Sequence, residues 1–324
     1  MTVPSPTPDH LRTRGDGGRS VNYPPLPEPL AVGVYDNHTH LEIADGALPL
    51  DVHEHLERAA SVGIVGAVQV GTDVATSRWS ADVAEHEPRL LAAIALHPNE
   101  APELEAAGTL DDALAVIDEL AARPRVRAIG ETGLDFYRTG EEGRGAQFRS
   151  FEAHIDIAKR HGLALQIHDR DAHDEVLETL GRVGAPDRTV FHCFSGDAEL
   201  ARIATDAGWY LSFAGNITFK NAENLREALR IAPLDRILVE TDAPYLTPVP
   251  LRGRPNAPYL VPHTMRFMAE VLGADLDELC ERVASNTRSV YGPWHDEPVR
   301  GTLGLGAPGL GAPGSGAPGL GELG

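Results

Sequence analysis

Only two cysteines occur, Cys193 and Cys280, too few and too far apart for a disulfide framework. No apolar stretch approaches the ~18 residues of a membrane-spanning helix, and the amino terminus lacks the apolar segment of a secretory signal. The expectation is a soluble, cytoplasmic protein with no membrane partner. The formal charge is −20. Charges before Ala31 and after Val299 cancel, so the acidic excess belongs to the segment between them. A protein that grips duplex DNA by its backbone shows a basic patch, and none is visible. A polyanionic substrate could still be held locally by metals and a few arginines.

The ends of the chain lack the patterning of a fold. Residues 1–30 carry seven prolines around a Gly/Arg stretch, a composition that buries too little apolar surface to offset its ordering entropy. From about Gly301 to Gly324 a five-residue unit recurs, with Gly306-Ala307-Pro308-Gly309 returning at Gly311 and Gly316. That period reads as a flexible tail, not collagen. The expected organisation is therefore a disordered tail over 1–30, one domain over 31–299, and a low-complexity tail over 300–324.

Within the middle segment, short apolar, β-branched runs recur: Val32–Asp36, Ile64–Val70, Leu90–Leu96, Val126–Ile129, Leu163–Ile167, Thr189–Phe191, Trp209–Phe213 and Ile237–Val239. Such near-continuous runs suit strands covered on both faces. Helical spacing appears between them over Val52–Ala60, Asp111–Ala122, Gln147–Arg160, Ala198–Ala207 and Ala222–Ile231, with His263–Leu272 and Leu276–Ser285 following. Alternation of this kind predicts an α/β fold, a single-domain (β/α)8 TIM barrel, which needs about 250 residues. An open doubly wound sheet is the alternative, but no Gly-rich phosphate loop follows the first strand.

Six potential ligands stand at the carboxyl ends of these strands. His38 and His40 are i and i+2 on strand one and point the same way. Glu131 follows strand four, and a carboxylate can bridge two cations. His168 ends strand five, His192 ends strand six, and Asp242 closes strand eight in Glu240-Thr241-Asp242-Ala243-Pro244. Asp242 could alternatively be a turn residue, and Glu240 is expected to support the site from beneath. Active sites of such barrels sit at the carboxyl-terminal face, where this set could hold two divalent ions about 3.5–4 Å apart. Nitrogen and oxygen donors suit Mn, Zn, Co or iron better than calcium, and two ions from among Mg, Mn, Zn and Co are expected. Cys193, next to His192, is expected to face away.

Five ordered motifs resemble the TatD family of metal-dependent hydrolases. They are Asp36-Asn37-His38-Thr39-His40-Leu41-Glu42, Ile129-Gly130-Glu131-Thr132-Gly133-Leu134-Asp135, His168-Asp169-Arg170-Asp171-Ala172, His192-Cys193-Phe194-Ser195-Gly196 and Glu240-Thr241-Asp242-Ala243-Pro244-Tyr245-Leu246. The resemblance spans about Val34 to Gly292. It implies a TIM-like barrel, divalent metals and phosphodiester hydrolysis, several members being deoxyribonucleases. By motif position, His38, His40, Glu131 and Asp242 would hold one ion, and Glu131, His168 and His192 the other. Asn37 and Ala95 depart from the family pattern without touching a ligand.

The function expected is exonuclease-type hydrolysis through a metal-bound hydroxide, with Asp242 as general base and Glu131 as the bridging carboxylate. Nucleic acid or a small phosphodiester is then a substrate, not a stable partner. Arg170, i+2 from His168, could clamp a phosphate or pair with Asp169 or Asp171. His97 could face the site or pack beside Pro98, and Arg254 and Asn256 could border substrate. His53 and His55, on a predicted helix, read as solvated. A carboxyl-ester or amide hydrolase, such as an aminoacyl-tRNA deacylase, is the competing class. Related barrels bridge their metals with a carboxylated lysine, but Lys159 and Lys220 are the only lysines and neither ends a strand. A non-catalytic metal-bound scaffold is the remaining reading.

Overall fold

The computed structural model describes residues 10–15 and 17–294. Eight parallel strands, β1 Val34–Thr39, β2 Ile64–Val70, β3 Leu90–Ile94, β4 Val126–Asp135, β5 Ala164–Arg170, β6 Thr189–Phe191, β7 Tyr210–Phe213 and β8 Ile237–Val239, pair in chain order. No ladder joins β8 to β1. The gap is spanned by a parallel bridge between Thr39 and Ala243, with Asp242 N–H donating to the His38 carbonyl at 2.9 Å and His40 N–H to that of Ala243 at 2.8 Å. The Asn37 amide donates to the Val239 carbonyl at 2.7 Å. This departure from the family pattern helps to close the barrel.

Each strand buries both faces, which explains the continuous apolar runs. Val68, Val70, Leu91, Ala93, Val190 and Leu238 fill the barrel interior. Alternate residues such as Leu90, Ala92, Ile94, Leu165 and Ile237 pack outward against the helices. Trp294, stacked on Tyr35 with ring centroids 4.3 Å apart, belongs to the interior cluster. The chemistry is left to the opposite, carboxyl-terminal rim.

The helices are α1 Val52–Ser61, α2 Val74–His86, α3 Ala101–Ala106, α4 Leu110–Ala121, α5 Glu141–His161, α6 His173–Val183, α7 Ala198–Asp206, α8 Glu223–Ile231, α9 Val261–Leu272 and α10 Leu276–Tyr291. The segments singled out for helical spacing did not include α2, α3 and α6. The inner face of α2 includes Thr76, Ser77 and Ser80, so it carries little apolar periodicity; its signal is the capping box of Asp73 with Thr76. Likewise α6 buries only Val176, Thr179 and Leu180. His55 is also corrected. It is buried, its ring meets Tyr23 edge-on with centroids 5.9 Å apart, and burial, then His10, pushes its pKa down to about 3.

The expected disorder over residues 1–30 does not hold for the described part. Arg12–Thr13 forms a short parallel pair with Ile43–Ala44. The chain then runs as a strap along the barrel. Ala47 N–H donates to the Val21 carbonyl at 2.8 Å, the Tyr259 hydroxyl to that of Pro24 at 2.7 Å, and Leu30 N–H to that of Val62 at 3.1 Å. Composition misled because the prolines need no ladder: the carbonyls of Pro24 and Pro29 accept from the side chains of Tyr259 and Arg266. The tail over 300–324, and the last residues of the expected domain, lie outside the described residues.

Candidate metal centre

Two strands carry an extra residue where they enter the rim. In β1 the register shifts between Asp36 and Thr39, and in β4 between Ile129 and Thr132. A bulge re-aims the side chains it carries, and these bulges contain His38 and Glu131. The β4 bulge needs glycine at 130, where a Cβ would lie 2.4 Å from Gln166 Cβ. Asp242 follows β8 with φ 52°, in the left-handed region, where aspartate is tolerated better than most residues.

Glu131 lies at the centre, and its two oxygens face different partners. Oε1 is 3.7 Å from His38 Nε2 and 3.5 Å from His40 Nε2, while Asp242 Oδ1 lies 4.0 Å and 3.6 Å from the same two nitrogens. Oε2 is 2.9 Å from His192 Nε2 and 3.0 Å from His168 Nδ1. The six predicted ligands therefore converge. Three ligand trios emerge, His38/His40/Asp242, His38/Glu131/His192 and His97/Glu131/His168, each with donor atoms within 4.8 Å of one another.

The donor set fits divalent cations. Both ring nitrogens of the fully buried His38 lack a hydrogen-bond partner, an arrangement that is costly unless something else satisfies them. The gaps of 3.5–4.0 Å around Glu131 Oε1 and Asp242 Oδ1 are too long for hydrogen bonds. They suit ligands sharing one ion at bond lengths of about 2.0–2.2 Å. His40 Nδ1 lies 3.0 Å from the Val70 carbonyl, a contact that requires the proton on Nδ1 and leaves Nε2 as the free donor. Behind His192, Glu240 Oε1 is 3.2 Å from Nδ1 and also accepts Cys193 N–H at 2.7 Å. Glu240 supports the site from beneath, as expected.

Charge balance points the same way. Burial opposes ionisation of Glu131, but His192, His97 and His168 outweigh it and hold the carboxyl well below its usual range. Burial would lower His40 and His192 too, yet the surrounding carboxylates raise both well above the ordinary imidazole value. The cluster thus draws positive charge to itself.

A cleft of about 580 Å³ opens over these residues and is lined by His97, Arg170 and Arg12, among others. His97 accepts Asn99 N–H on Nδ1 at 3.1 Å, and burial, then His168, pushes its pKa down to about 3. It is therefore neutral with its proton on Nε2, which lies 3.3 Å from His168 Nδ1 and 3.7 Å from Glu131 Oε2. His97 thus borders both the ligand cluster and the cleft. The Arg170 guanidinium lies 3.9 Å from the Tyr137 ring centroid, and Asp169 is engaged by His173 at 2.7 Å.

Arg254 and Asn256 are not brought to the cleft. Arg254 donates to the carbonyls of Asn22 and Tyr23 at 3.1 and 2.7 Å, anchoring the strap. Asn256 is buried and donates to the carbonyls of Thr241 and Tyr245, bracing the loop after β8. Their loop turns toward the strap, whose packing the sequence did not disclose. Cys193 is the reverse case. Because β6 stops at Phe191, strand alternation no longer applies, and Cys193 lines the cleft as a thiol held protonated by burial. The sequence reading passed over Asp135, whose Oδ2 lies 3.3 Å from His168 Nε2 and accepts the Asn99 amide at 2.9 Å. The i+4 spacing from Glu131 on one strand was its available signal.

Residues 35–292 match the family model described as TatD related DNase. A Mycobacterium tuberculosis protein, an uncharacterized metal-dependent hydrolase TatD, is 45% identical over 262 residues, 79% of this chain and 97% of the relative. The 3'-5' ssDNA/RNA exonuclease TatD of Escherichia fergusonii is 33% identical over 251 residues, covering 75% and 93%. Among solved structures, the TatD homologue YJJV of Escherichia coli k12 superposes with a TM-score of 0.72 at 26% identity, covering 80% and 98%. With five motifs, the barrel and the clustered ligands in agreement, the chain belongs to the TatD family of metal-dependent hydrolases.

Proposed function

We propose that this protein is a two-metal phosphodiesterase that removes nucleotides from single-stranded nucleic acid. The observation that carries the reading is the division of Glu131, with one oxygen toward His38, His40 and Asp242 and the other toward His168 and His192. One carboxylate shared between two donor groups suits a pair of cations. Similarity to the Escherichia fergusonii exonuclease supports the substrate class.

His38, His40, Glu131 and Asp242 would hold one cation, and Glu131, His168 and His192 the other. When bound, the pair would acidify water and neutralise charge developing on a phosphoryl oxygen. Asp242, whose side chain retains 15% exposure against 0% for His38, sits toward the open side and takes the proton of the attacking water. The His97 Nε2–H would donate to a phosphate oxygen in place of His168 Nδ1, which it faces at 3.3 Å. Arg170, held flat against Tyr137, contributes a preorganised fork to the same phosphate. Cells would supply Mg, Mn, Zn or Co.

The test is a screen of metal-stripped and reconstituted protein against single-stranded DNA, duplex DNA, RNA, bis(4-nitrophenyl) phosphate and 4-nitrophenyl acetate. Metal-dependent release of mononucleotides from single strands is expected. Turnover of the acetate alone would replace this reading with the carboxyl-ester class.

A further inference from the structure

We propose that the N-terminal strap is part of the substrate site, with Arg12 forming a phosphate-binding subsite beside the Arg14–Tyr245 stack. This rests on the phosphodiesterase reading above. The region matched by the family model begins at Tyr35, so Arg12 lies ahead of it. Yet Arg12 lines the same cleft as His40, Glu131 and Asp242.

The strap is anchored on both sides of this residue. Leu11 and Arg12 N–H groups donate to the Glu42 carbonyl at 2.9 and 3.1 Å, and Arg14 N–H to that of Ala44 at 2.8 Å. One terminal nitrogen of Arg12 pairs with the buried carboxylate of Glu42, two residues beyond His40, whereas its Nε is buried with no hydrogen-bond partner. The side chain is 38% exposed. Its guanidinium is therefore fixed on one edge by Glu42, and the other terminal nitrogen, neither hydrogen-bonded nor buried, is the donor open to a phosphate without first ordering a flexible cation. Arg14 donates to the Pro244 carbonyl and lies 4.7 Å from the Tyr245 ring centroid. Tyr245 lines the cleft and is 39% exposed.

Topology places this group between β8 and β1. Arg170 ends β5 and Tyr137, 64% exposed, follows β4, across the eight-stranded ring. Two cation-backed aromatic faces thus flank the metal residues. Bases stack on such faces only when they are unpaired, while cations track the phosphates. A single strand crossing the cleft would meet the strap with the nucleotide next to the scissile bond.

Removing Arg12 alone would leave the buried Glu42 carboxylate without its cation and with only the Gln69 amide on its other oxygen, so the informative comparison is Arg12→Gln/Glu42→Gln against Glu42→Gln, alongside Arg12→Lys. For each, KM is measured on a single-stranded trinucleotide and on bis(4-nitrophenyl) phosphate, together with bound metal and melting temperature. The double variant should raise trinucleotide KM about tenfold more than KM for the small diester. Arg12→Lys, which retains charge without the fork, should fall between. Equal effects on both substrates, or loss of metal with no differential KM, would make Arg12 a support for Glu42 and overturn the proposal. Absence of any metal-dependent diester cleavage by the unaltered protein would instead defeat the phosphodiesterase reading.

Discussion

At the residue scale, the site depends on which proton each imidazole carries. Backbone contacts set several of these: Val70 for His40 and Asn99 for His97. Asp242, close to both His38 and His40 yet least enclosed of the three, is the proton acceptor of the reading proposed above. Asp242→Asn is expected to lower kcat by two to four orders of magnitude, roughly the span of general base catalysis, while metal analysis still finds bound cation. Near-normal turnover would remove the assignment. A second residue sets a pH response away from the ligand candidates. His154 is fully buried, lies 2.7 Å from the Ser150 carbonyl through Nδ1, and accepts Leu96 N–H on Nε2 at 3.1 Å. Burial, partly offset by Ser150, lowers its pKa to about 4. A depressed folded value means the unfolded chain takes up a proton first as pH falls. Stability is fully present above about 6.5, the unfolded imidazole value, and is lost progressively toward pH 4, by on the order of 3 kcal/mol. His154→Leu should flatten the denaturation midpoint between those pH values; an unchanged slope would show that other groups control it. The histidine ligand candidates were legible because each ends a run of strand residues. Asp135 and Arg12 were less so, since their roles depend on neighbours distant in sequence.

Elements explain why two glycines and two bulges recur beside ligands. The β4 strand continues through Asp135, where the sequence suggested an end at Ile129, because Gly130 and Gly133 mask the β pattern. Both are required by close approach: a Cβ at 133 would lie 2.0 Å from the His168 carbonyl oxygen, and one at 130 would meet Gln166. Gly130→Ala should therefore push β4 from β5, lowering stability by about 1–3 kcal/mol and loosening the Glu131 carboxylate. Calorimetry with metal titration checks this, and unaltered metal binding with a normal melting temperature would contradict it. The helices divide similarly. Those with wide apolar faces, α4 among them, were legible. The inner face of α2, with its small hydroxyl side chains, was not.

For the whole molecule, buried carboxylates and histidines share one rim, so cation binding and folding should be linked. A chelator is expected to lower the melting temperature as well as abolish hydrolysis; a ligand at a hundredfold excess over its Kd stabilises by about 2.7 kcal/mol. Identical melting curves with and without cation would show that the cluster is held by the barrel alone. No helix among the described residues is long and apolar enough to cross a membrane. The amino-acid sequence by itself determined the alternation of strand and helix, the barrel and the six converging donors, because each is written in local periodicity or at strand ends. Tertiary structure alone decided which Glu131 oxygen faces which histidines, that Arg254 and Asn256 brace loops, and that the described segment before Ala31 is strapped along the barrel with Arg12 at its mouth. Those outcomes depend on distances between segments as far apart as Arg14 and Pro244, and no local pattern encodes a distance.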